Sequence, residues 1–144
     1  MKVDFWQLSR DPAEKVVSMI AARVLDQGER LLVVSADEAR RKAISKALWD
    51  AETGNFLANG DAADPHAARQ PILLSERCEG SNGASHVIFA DGNWQEPEGF
   101  ERAFLLFDEA TLEAARGVWR ALDGTEGLER SFFRQDDGKW TRIA

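Results

Sequence analysis

Four consecutive branched apolar residues, Leu31-Leu32-Val33-Val34, stand between two stretches of helical periodicity. A strand with one wet face would alternate apolar and polar residues, so an unbroken run marks a strand covered on both faces. Upstream, Val3 to Leu8 reads as a strand. Asp11-Pro12-Ala13-Glu14 then reads as a helix start, with Asp11 as cap, Pro12 in the first turn and Glu14 reaching back. Val16, Val17, Ile20, Ala21, Val24 and Leu25 form an apolar stripe at helical spacing, and Gly28 ends it. Downstream, Ser35-Ala36-Asp37-Glu38 reads as a capping box. Its helix is expected to turn Ala36, Ala39, Ala43, Ala47 and Leu48 inward and Arg40, Arg41, Lys42 and Lys46 outward. Strand–helix–strand–helix in about fifty residues predicts an α/β domain with a parallel sheet and helical crossovers.

The rest of the chain fits one domain over residues 1–144. The polar stretch Asp50 to Arg69 is too long for a tight connection. Strands are expected at Pro71–Leu74, His86–Phe89 and Ala103–Phe107, with a Gly/Ser loop from Cys78 to Ser85. Asp108-Glu109-Ala110 is read as opening a helix with Leu112, Ala115, Val118, Trp119 and Leu122 on its apolar side, stopped by Gly124. Ser131–Arg134 and Lys139–Thr141 predict a final hairpin around Asp137-Gly138.

Charge narrows the function. The formal net charge is −7, which argues against broad DNA binding through phosphates, so direct nucleic-acid binding is expected to be weak or absent. The charge is uneven: Arg116 to Ala144 holds six bases against five acids, whereas Met1 to Ala115 holds 12 bases against 20 acids. The C-terminal part is where an acidic partner would land. No apolar run approaches the roughly 20 residues that cross a bilayer, so no membrane partner is expected. Asp4 interrupts the first residues where a signal peptide would be apolar. Cys78 is the one cysteine, so an intramolecular disulfide is excluded and a cytoplasmic setting is expected.

Catalytic motifs are not found. No glycine-rich turn ends in Gly-Lys-Ser/Thr, and the first strand–helix turn, Ser9-Arg10-Asp11-Pro12, has no glycine and an acid that would repel a phosphate. No cofactor is expected. His66, His86 and Cys78 are scattered, without metal-ligand spacing. Ser75, Ser81 and Ser85 lie near His86 but in no nucleophile-elbow motif. Two places stand out instead. Trp49 ends a helix, and Phe56 follows in a polar loop. Both fit either local packing or an exposed aromatic anchor for a partner. Arg116, Trp119 and Arg120 share a helix face by their spacings of three and four. They fit either surface ion pairs with Glu113 and Asp123 or a clamp for a carboxylate and an apolar ring.

In this order the residues resemble a known family, the chi subunit of bacterial DNA polymerase III. The resemblance rests on Phe5-Trp6-Gln7-Leu8, Ala47-Leu48-Trp49 with Phe56-Leu57, Gln70 to Leu74, Phe104 to Asp108, Arg116-x-x-Trp119-Arg120 and Gly138-Lys139-Trp140. It implies a three-layer Rossmann-like domain, with a largely parallel sheet, helices on both faces and no nucleotide chemistry. It further implies a non-catalytic subunit of the clamp-loader assembly acting in DNA replication. Such a subunit binds the psi subunit through Trp49 and Phe56. It binds the acidic C-terminal tail of single-stranded DNA-binding protein, which ends in Pro-Phe, through Arg116, Trp119 and Arg120. A helicase is a further partner implied by the family. The chain departs from the family pattern at Ala58-Asn59, where a Pro-His pair is usual, and at Leu112, where a base can stand. Two other classes remain open from the residues. One is a small Rossmann-like enzyme or metabolite-binding domain with a pocket at Ser9–Pro12 and Ser35–Asp37. The other is a direct single-strand DNA binder.

Overall fold

The apolar runs become the interior of one sheet. A computed structural model describes residues 1–51, 57–136 and 138–144. The chain runs β1 (Lys2–Gln7), α1 (Ala13–Asp26), β2 (Leu31–Val34), α2 (Glu38–Trp49), β3 (Asn59–Asp61), a 3-10 turn at Ala67–Arg69 and β4 (Ile72–Ser75). It continues with β5 (His86–Phe89), β6 (Arg102–Phe107), α3 (Leu112–Ala121), β7 (Glu129–Asp136) and β8 (Lys139–Arg142). The strand order is β3-β4-β2-β5-β6-β1-β7-β8. Every neighbouring pair is parallel except β7 and β8, which are antiparallel.

Alternation along each strand sorts side chains to two faces. Trp6, Val33, Ile72, Leu74, Ile88, Phe104 and Leu106 meet α1 and α2 on one face. Val3, Phe5, Leu32, Val34, Leu73, Val87, Phe89, Leu105 and Phe107 meet α3 on the other. Among the described residues this is a three-layer Rossmann-like α/β arrangement. Burying each such Leu, Val or Phe contributes about 1.5–3 kcal/mol.

Several local expectations are corrected. Asp11 does not cap α1: Pro12 holds that position with no side-chain cap bond. Asp11 instead accepts from Gln135 Nε2 at 2.8 Å and Lys15 Nζ at 3.1 Å, tying the β1–α1 turn to β7. The expected box at Ser35 and Glu38 is displaced by two residues, since Asp37 caps α2 by accepting from Ala39 N at 3.0 Å. The inner face of α2 is Ile44 and Leu48, while Ala36, Ala39 and Ala43 are exposed. Arg41 is not outward: its Nη1 donates to Ser35 O at 2.7 Å and its Nε to Asp61 Oδ2 at 3.3 Å. The stretch 50–69 contains β3, which pairs with β4, and the 3-10 turn. The third helix begins at Leu112, four residues later than expected, because Asp108 to Thr111 forms a turn of its own. Asp137, in the final turn, lies outside the described residues; Gly138 has φ 80° there.

Asp4 is the sharpest energetic feature of the sheet. It is 3% exposed on β1, and the neighbouring Arg102 of β6 donates to its Oδ2 through Nε at 3.0 Å and through Nη2. Removing the base strands a buried carboxylate. Arg102→Met should therefore lower stability by about 2–3 kcal/mol, a range discounted because the guanidinium is partly exposed. Asp4→Asn added to Arg102→Met should recover part of that loss. Urea unfolding midpoints of the two variants check both statements.

Candidate partner-binding surfaces

The α3 surface is built from a short amphipathic helix. Asp108 Oδ1 accepts from Thr111 N at 3.1 Å, and Thr111 Oγ1 accepts from Asp108 N at 3.0 Å, so the helix start is fixed reciprocally. Gly92 closes against this turn with φ 78°, and a Cβ there would stand 2.6 Å from Thr111 Oγ1. Ala115 is fully buried, and Leu112, Val118, Trp119 and Leu122 pack partly buried against the sheet. This orientation leaves Arg116 and Arg120 exposed, one turn apart. Arg116 pairs with Glu113 at 3.1 Å, three residues back, the surface pairing that the sequence left open. Asp123, the other acid named with them, is instead taken by Arg130 at 2.7 Å.

Trp119 is a packed pillar. Its ring meets Phe5 edge-on at 5.1 Å and Phe132 at 5.7 Å. The Arg130 guanidinium lies 4.1 Å from its centroid, and Arg130 Nη1 also donates to Trp119 O. Arg130 is the residue that the sequence reading missed. It comes from β7, eleven positions from Trp119, so no helical spacing relates them. The cation excess of the C-terminal part was its sole trace.

Trp49, the last residue of α2, is 49% exposed. The chain regains the core at Leu57, and Asn59 is 6% exposed behind α2. Ser45 Oγ donates to Asn59 Oδ1 at 2.6 Å, and Asn59 Nδ2 donates to Leu57 O at 3.0 Å. Asn59, a departure from the family pattern, is thus a structural tie here. Phe56 lies outside the described residues, so its relation to Trp49 is not described.

The carboxyl ends of the strands hold a cleft of about 440 Å³, lined by Ser9, Asp11, Glu14, Asp37, Arg40 and Asp108 among others. It lies where Rossmann-like domains take ligands, because the segments after β1 and β6 leave toward opposite faces. Four acids against one base make it a poor seat for a phosphate. The Gln135 hydrogen bond, and then that of Lys15, hold the Asp11 carboxyl below its usual range, which keeps this end negative. Among the described residues, no three His, Cys, Asp or Glu side chains converge to hold a metal ion. His66 is exposed. His86 is 7% exposed, with Nδ1 2.7 Å from Ser85 Oγ. Ser75 Oγ accepts from Arg77 N at 3.1 Å. Among the described residues, no helix is long and apolar enough to cross a membrane.

Two stability and reactivity outcomes follow from this packing. Trp119→Ala should cost about 2–3 kcal/mol, because it empties the space between Phe5, Phe132 and Arg130. Trp119→Phe should cost less, and thermal unfolding distinguishes the two. Burial pushes the Cys78 thiol up to about 11, which leaves little thiolate near neutral pH. Iodoacetamide at pH 8 should alkylate the folded chain roughly 100-fold more slowly than the urea-unfolded chain. Equal rates would contradict that burial.

Comparison with known proteins supplies the context. A family model described as DNA polymerase III chi subunit, HolC, matches residues 1–128. A curated relative, "Probable DNA polymerase III subunit chi" of Rickettsia prowazekii (strain Madrid E), is 26% identical over 57 residues. That match covers 40% of this chain and 34% of the relative, so it spans about a third of the relative's length.

Proposed function

Because this chain belongs to the DNA polymerase III chi subunit family, we propose that it is a non-catalytic accessory subunit of the bacterial clamp-loader assembly. In this reading it joins a psi-like subunit to the acidic C-terminal tail of single-stranded DNA-binding protein during replication. The observation that carries the tail assignment is the exposed pair Arg116 and Arg120 on α3, in a chain of net charge −7. Two guanidiniums one turn apart offer bidentate donors to a carboxylate. Their neighbour Trp119 gives the tail's terminal ring an apolar edge and holds α3 in place. The nearby Arg130 adds a third cation to the same end of the domain.

The psi-like partner is assigned to the opposite part of the chain, through Trp49 and Phe56. Its support is the 49% exposure of a large indole at a helix end, the kind of side chain that anchors interfaces. A helicase is a further partner in this reading, assigned to neither surface. Direct nucleic-acid binding should be weak, since the acid excess opposes phosphates.

A short tail must be ordered as it binds, so micromolar affinity, about −8 kcal/mol, is expected. Calorimetric titration of a tail peptide should give that value for the native chain and roughly tenfold weaker binding for Arg116→Ala or Arg120→Ala. Equal affinity in all three would defeat the assignment. These variants read binding more cleanly than Trp119→Ala, which also loosens the core. On the other side, Trp49→Ala should weaken capture of a psi-like subunit while the unfolding temperature stays close to native. A large fall in that temperature would make Trp49 a packing residue.

A further inference from the structure

A second cavity lies on the face of the sheet that α1 covers, bounded by the second half of that helix. It measures about 160 Å³, and its lining includes Trp6, Arg23, Gln27, His86, Arg102 and Phe104. Among the described residues no Asp or Glu lines it, although acids outnumber bases by 25 to 18 in the chain. Trp6 is 6% exposed, and its Nε1–H is buried without a hydrogen-bond partner. A buried donor of that kind calls for an acceptor, since native proteins leave few unpaired. Arg102 gives Nε and Nη2 to Asp4, which leaves Nη1 available, and its guanidinium lies 5.0 Å from the Phe104 centroid.

We propose that this cavity binds a small oxyanion of the phosphate or carboxylate class, held by Arg23, Arg102, the Trp6 indole N–H and the His86 ring. The volume exceeds the roughly 10–15 Å³ that one water requires and falls short of the roughly 300–1,000 Å³ typical of cofactor sites. A small ion fits it and a nucleotide does not. At the end of α1, Arg23 O and Val24 O are already hydrogen-bonded, accepting from Gln27 N and Glu29 N.

The His86 ring makes the site responsive to protons. Ser85 Oγ donates to Glu29 Oε2 at 2.6 Å, so its oxygen is left to accept from Nδ1–H of His86 at 2.7 Å. That bond places the lone pair of the neutral ring on Nε2. Burial, first, lowers the tendency of His86 to protonate; Glu29 and Glu101 raise it, and Arg102 lowers it. An oxyanion in the cavity adds negative charge beside the ring and favours its cationic form. Binding therefore tightens as pH falls through the titration of His86.

The test is a titration of the intact, 15N-labelled chain with sodium phosphate, sodium sulfate or sodium acetate at constant ionic strength, read by nuclear magnetic resonance. The Trp6 indole N–H should shift and saturate at millimolar anion, while the Trp94 and Trp119 indoles stay in place. Arg23, at an exposed position of α1, can change without loss of the fold, and Arg23→Gln should weaken binding roughly fivefold. Sulfate, whose charge is constant near neutrality, should raise the pH at which His86 titrates. Preference for phosphate and sulfate identifies a phosphoryl group as the ligand, and preference for acetate identifies a carboxylate. Shifts that stay linear in every anion, or that match in Arg23→Gln, would overturn the proposal.

Discussion

The β1 strand is the constraint on which the sheet depends. It is the first strand in sequence, yet it lies between β6 and β7, with six residue pairs to each. Its backbone donors and acceptors are satisfied only when segments about 100 and 127 residues away have arrived. Both neighbours run parallel to it, so neither can be supplied by a tight hairpin. Crossovers must carry the chain between them, and the layers follow from that need. The helix after β1 goes to one face, and the helix after β6 goes to the other. Asp4 adds a charged tie to this seam, since its partner Arg102 comes from β6. Trp6 adds an aromatic one, packed on Phe133 at 5.0 Å and Trp140 at 4.7 Å.

The same seam reaches the α3 surface. Phe5, inside β1, touches Trp119, and Phe132 of β7 touches both. Trp119 thereby couples the helix to β1 and β7. The exposed cations of α3 stand on a helix packed against the sheet. Trp49 is placed differently, at the end of α2, after which Leu57 returns the chain to the core and Asn59 bonds back to Ser45.

Much of the architecture was legible because it is written in short-range pattern. Leu31 to Val34 and His86 to Phe89 are apolar runs covered on both faces, and the stripe from Val16 to Val24 has the helical period. What failed to show was decided by contacts distant in sequence. Asp11 resembles a cap, but Gln135 reaches it from β7 and draws it away. Arg41 resembles a solvated base, but the end of β2 offers it the Ser35 carbonyl. Asn59-Gly60-Asp61 has none of the composition of a strand, and it forms one because β4 presents an open edge. At the candidate surfaces the exposed positions of Arg116 and Arg120 followed from spacing. So did the packing of Trp119, which the apolar stripe of α3 turns toward the sheet; the arrival of Arg130 did not, since it comes from β7. Phe56 falls outside the described residues, and the resemblance alone speaks for it.

The antiparallel β8 has a consequence for how copies of this chain meet. It lies at one border of the sheet, where among the described residues no strand neighbours its outward side. Such a border invites another chain to add on, and end-to-end addition leads to filaments. Lys139 and Arg142 occupy the two ends of this short strand, and both are exposed. Alternation along the strand sends the two to opposite faces of the sheet, so an added chain would meet a cation on either face. A second copy would crowd its own cations against them, and growth is discouraged at the first step.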